Sequence, residues 1–171
     1  KGTGKGQKIG VLLFGGSFKT RDYNNFANTF INGQTPPTVK VIYLDLGIEL
    51  SSDDRSSSDL AAAYQTIGTL VPDSEIRIYV TKDKTIVNLC RMFRAAIFGT
   101  TLTIITPTGG SFGGSFLTRD TDPCDIICTN IGFPENLSND QATLHDLLSQ
   151  AKDKGITVLC ASGDSGNGNS T

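Results

Sequence analysis

Lys8-Ile-Gly-Val-Leu-Leu-Phe-Gly-Gly-Ser-Phe18 is the stretch whose reading decides the fold class. Its residues 9–14 form a continuous apolar run that stops at Gly15-Gly16. A short apolar run closed by glycine reads as a strand buried on both faces, the usual condition of a strand in a parallel sheet covered by helices. The segments that follow alternate in type. Arg21 to Phe30 places Tyr23, Phe26, Ala27 and Phe30 near helical spacing and is closed by Gly33. Past the turn at Pro36-Pro37, Val39 to Leu46 reads as a second strand, and Glu49 to Ser58 as a polar loop. Asp59 is placed to N-cap a helix from Leu60 to Leu70, which Pro72 terminates.

Glu75 to Val80 is the next expected strand, and Lys84 to Phe98 the next helix. Further on come a strand at Asp125 to Asn130, a helix at Asp140 to Lys154 and a strand at Ile156 to Ala161. That helix should turn Ala142, Leu144, Leu147, Leu148 and Ala151 inward and end at Gly155. Strand–helix alternation of this kind specifies an α/β fold of three layers, a mostly parallel sheet flanked by helices. Two segments stand outside the alternation. Lys1 to Gln7 reads as a flexible lead-in. Residues 101–121 read as an inserted β-hairpin outside the common core, with Thr101 to Ile105 and Ser115 to Thr118 as strands around the Gly109–Gly114 loop.

Bulk properties narrow the function classes. A chain of 171 residues fits one domain, and 37% hydrophobic against 19% charged residues supports a packed core rather than disorder. A net charge of -2 provides no electrostatic footprint for nucleic acid or an anionic membrane. No apolar run reaches the roughly 20 residues of a membrane-spanning helix. The chain begins with Lys1 and has no signal peptide, so it is expected to be a processed or partial piece of something longer.

Cofactor motifs are lacking too. Gly2-x-Gly4-x-Gly6 precedes its strand instead of following it, and Gly109–Gly114 is not followed by Lys-Ser or Lys-Thr, so neither reads as a nucleotide-phosphate cradle. The only histidine is His145 and there is no Cys-x-x-Cys pair, which argues against zinc. Cys90, Cys124, Cys128 and Cys160 are expected to be buried free thiols. Sequons at Asn136 and Asn169 permit glycosylation without requiring it.

In open parallel sheets, chemistry sits at the carboxyl ends of strands. Two such ends are glycine-rich here, Gly15-Gly16 and Gly163-Asp164-Ser165-Gly166. A carboxylate at the second either points into a cleft or caps its own turn, and spacing alone does not separate the two.

Lys154-Gly-Ile-Thr-Val-Leu-Cys-Ala-Ser-Gly-Asp-Ser-Gly166 resembles the oxyanion-hole segment of the sedolisins, the serine-carboxyl peptidases with a subtilisin-like fold. Lys8 to Phe18 is similar to that family's first core strand and glycine turn. Tyr23 to Phe30, Pro37 to Val41, Leu60 to Val80 and Asp125 to Glu135 follow in the family's order, while residues 101–121 look like an insertion. The resemblance implies a Glu and an Asp four residues apart on one helix, acting with a serine from a downstream Gly-Thr-Ser motif and an Asp in the oxyanion hole. Asp164 matches the oxyanion Asp and is expected at the end of a central strand. Counting back from Pro72 places the Glu position on Asp59 and its partner on Ala63, and a shift of two residues gives only Ala61 and Gln65. Glu49 and Asp53 have the spacing but fall in the polar loop, where they read as solvated charges. Leu13 stands where the family often has an acid, and Ile131 where it often has a tryptophan.

These departures lead to the expectation of a catalytically degenerate sedolisin-like domain kept as a structural or binding module. The alternative is an active serine-carboxyl endopeptidase of which this is the N-terminal part. No cofactor or metal ligand set is expected within the chain, and the resemblance implies a calcium site beyond Thr171. It also leans toward a secreted or extracellular location. The expected partner is another protein or the remaining half of the same polypeptide, because the first and last strands are apolar and are expected to lie at open sheet edges.

Overall fold

The computed structural model describes residues 2–16, 20–30, 37–45, 54–105, 116–133 and 139–163. Their order is β1 (Lys8–Phe14), α1 (Thr20–Phe30), β2 (Thr38–Tyr43), α2 (Asp54–Leu70), β3 (Glu75–Thr81), α3 (Ile86–Phe98), β4 (Thr100–Ile105), β5 (Phe116–Thr121), β6 (Ile126–Thr129), α4 (Asn139–Asp153) and β7 (Thr157–Cys160). The described strands form one sheet in the order β5-β4-β2-β3-β1-β6-β7. The five strands from β2 to β7 in that order run parallel, and the β4–β5 pair adds an antiparallel edge. The expected three-layer α/β architecture is therefore present.

β1 lies between β3 and β6, which corrects the expectation that it is an open edge. Its apolar run follows from this position. Val11 and Leu13 face α1 and α2, in a core with Tyr23, Leu60, Tyr64 and Ile78. Leu12 faces the opposite way, toward α3 and α4, with Tyr79, Phe93, Ile127 and Leu147. From Ile9 to Leu13 every position is buried, so the alternation typical of half-exposed strands is absent.

Local chemistry sets the helix ends. Thr85 N-caps α3 by accepting a hydrogen bond from the Asn88 N–H at 3.2 Å. Gly155, at φ 73°, closes α4, and the Ile156 N–H reaches back to the Ala151 carbonyl at 2.9 Å. On α4, Leu147 and Ala151 are buried and Leu144 and Leu148 partly so, but Ala142 is exposed, contrary to its expected inward position. The second helix also differs from expectation. It starts at Asp54, so Asp59 is an interior helical residue and not a cap. The first turns look like a loop in the sequence because they carry Asp54, Arg55 and three serines, of which Ser58 is exposed.

Two flanking segments are engaged by the core. The Asp73 N–H donates to the Thr3 carbonyl at 3.0 Å and the Glu75 N–H to the Gln7 carbonyl at 2.9 Å, which ties the lead-in to the turn between α2 and β3. Gly4 has φ +76°, and a Cβ there would come within 2.7 Å of Val71 Cβ, so this contact requires glycine. The β4–β5 hairpin pairs from Thr100↔Thr121 to Ile105↔Phe116 and joins the sheet through Ile42↔Ile104. It therefore extends the sheet at its edge instead of standing apart from it. Its glycine loop, Gly109–Gly114, lies outside the described residues. The thiols are more varied than expected: Cys90 and Cys124 are buried, Cys128 is half-buried and Cys160 exposed.

The amino ends of the strands hold a buried charge. Arg77 on β3 is 3% exposed and lies in register with Gly10 on β1. The guanidinium donates to Glu75 at 2.6 Å and to the Asp122 carbonyl, and Lys40 reaches the same Glu75 from β2. Burial works to raise the Glu75 pKa, but hydrogen bonds from Lys40 and Arg77 outweigh it and hold the carboxyl below the ordinary glutamate value.

Two outcomes follow for stability. Because the folded Glu75 pKa is lowered, its contribution is complete above the ordinary value of 4.5 and is lost as pH falls through the lowered one. Glu75→Gln is expected to cost about 2 kcal/mol at neutral pH and to flatten the acid limb, read by urea unfolding between pH 7 and pH 3. At Gly68 on α2, an added Cβ would lie 2.6 Å from the Tyr23 hydroxyl oxygen. Gly68→Ala should thus destabilise by about 1–3 kcal/mol despite alanine's better helix propensity, because α1 must be pushed off α2. An unchanged or raised Tm would contradict this packing.

Candidate functional site

The carboxyl ends of β1, β6 and β7 lie side by side, and α2 crosses near them on one face. Between the helix and the strand ends is a groove of about 520 Å³. Asp59, Ala62, Ala63 and Thr66 line it from α2, at the spacing that keeps residues on one helical face. Leu13, Thr129 and Leu159 line it from the three strands. α1 and α2 cover β1, β2 and β3 on this face, whereas Leu159 on β7 is 55% exposed.

Asp59 and Ala63 thus share the groove, as their four-residue separation requires. Asp59 is exposed at the rim, where the Asn130 side-chain amide donates to its carboxylate at 3.4 Å, a long contact. Ala63 presents a methyl group one turn further along, so the face carries one carboxylate and not two. Among the described residues, the other ionisable groups lining the groove are Cys128 and Cys160. Burial pushes the half-buried Cys128 thiol up, and Cys160 raises it further, so Cys128 stays protonated at neutral pH and is a poor nucleophile.

The supporting positions are equally apolar. Leu13 is 5% exposed and packs under α2. Ile131 is half-buried against the α3–α4 core, and its N–H is held by the Thr129 hydroxyl at 3.1 Å. β7 is an edge strand among the described residues, not the central strand expected before Asp164. The chain leaves it through Gly163 at φ 82°, a conformation that favours glycine. Asp164 itself, Glu49, Asp53 and the sequons at Asn136 and Asn169 lie outside the described residues.

Sequence reasoning did not single out Asn130, Thr129 or Leu159. The available signal was the switch from apolar to polar at Thr129-Asn130, which marks a strand's carboxyl end. A second cavity of about 270 Å³ lies on the other side of the sheet, between α3 and α4, lined by Leu89, Phe133, Leu144 and His145 among others. Among the described residues, no group of three or more His, Cys, Asp or Glu side chains is placed to hold a metal ion. None of the described helices is long and apolar enough to cross a membrane.

No protein-family model and no curated protein matches the chain. Among solved structures it is similar to Pseudomonas sedolisin, a serine-carboxyl proteinase solved in complex with two molecules of pseudo-iodotyrostatin. The TM-score is 0.68 at 18% sequence identity, over 96% of this chain and 41% of that one. At this identity the likeness is one of fold, and the chain has a sedolisin-like α/β fold that spans 41% of the neighbour's length.

The single-carboxylate face has a direct test. Ala63→Asp is expected to place a second carboxylate one turn from Asp59, so that at pH 7 the variant is less stable than Ala63→Asn by about 0.2–0.5 kcal/mol at low salt. Equal stability of the two variants by urea unfolding would show that the positions do not share a face.

Proposed function

We propose that the chain is a catalytically degenerate sedolisin-like domain that serves as a structural or binding module, working within a longer polypeptide or a larger assembly. The observation that carries this reading is Ala63 in the groove beside Asp59. Serine-carboxyl peptidase chemistry needs a carboxylate base to activate the serine and an acid to stabilise the tetrahedral intermediate. Members of such a unit act together, so loss of one typically removes several orders of magnitude in rate. Leu13, buried where an acid is common, supports the same reading.

A second reading has its own support. Asp59 keeps a carboxylate at the first acid position, facing the groove. An active serine-carboxyl endopeptidase would combine it with Asp164 at the oxyanion hole, with a serine contributed from outside this stretch, and with a second acid from an unexpected position. On either reading we assign no cofactor to these residues. By resemblance, any calcium site belongs to sequence beyond Thr171, and the location is secreted or extracellular.

The partner is proposed to be a protein, either the rest of the same polypeptide or another subunit. The exposed Leu159 and the edge position of β7 among the described residues support this, since an uncovered apolar strand favours pairing. No nucleic-acid partner is proposed, given the net charge of -2.

The deciding experiment is a peptidase assay on the polypeptide that carries these residues, with an acid-unfolded protein as substrate between pH 3 and pH 7. The scaffold reading predicts no cleavage above a buffer control. Cleavage that Asp59→Ala reduces by about 100-fold or more would establish the peptidase reading instead.

A further inference from the structure

We draw no further inference here: the strongest candidate, the uncharged open edge of β7 with the exposed Leu159 beside the groove under α2, is an unpartnered apolar face, and nothing in the structure shows what covers it.

Discussion

The rest of the molecule is organised by the burial of β1 on both faces. Leu12 is 1% exposed and Leu13 5%, although they point to opposite sides of the sheet. Each such side chain contributes about 1.5–3 kcal/mol when removed from water, and only a helical layer on each side removes both. α1 and α2 supply one layer and α3 and α4 the other. The same requirement sets the carboxyl ends of β1 and β6 beside α2, and that proximity creates the groove. Among the described residues the first layer does not extend past β6 while the sheet continues to β7, and Leu159 is exposed.

Much of this was legible in the sequence because the forces involved are local or periodic. The apolar run of β1, Gly155 at the end of α4 and Pro72 after α2 each encode their element through a short-range rule. The start of α2 was not legible. Asp54 to Ser58 has the composition of a loop, and weak local propensities of this kind are readily overridden by tertiary context. The interior position of β1 was not legible either. Strand order depends on how crossovers place β2 and β3 to one side and β6 to the other, and no local pattern records it. The varied exposure of the cysteines follows similarly: Cys160 sits in an apolar run, but that run is an edge strand, so the thiol is exposed.

The candidate site divides along the same line. That positions 59 and 63 share a face follows from helical periodicity, which is independent of the helix starting at Asp54 and not at the expected Leu60. That Thr129, Asn130 and Leu159 complete the groove depends on strand order, and nothing in the sequence alone brings these residues together. The site is therefore defined by one sequence-encoded helical face and one topology-encoded row of strand ends. Among the described residues the groove carries one rim carboxylate, whereas acid–base chemistry by a carboxylate pair depends on two groups with separated pKa values.

The most direct measurement is a crystal structure, at acidic pH, of the polypeptide that contains these residues. The account predicts that α2 presents Asp59 and Ala63 to the groove with no other carboxylate within ~4–6 Å of Asp59, the range over which two such groups act as a pair. A structure in which Glu49, Asp53 or another acid lies against Asp59 across that groove would contradict the account and restore the paired-carboxylate chemistry that Ala63 takes away.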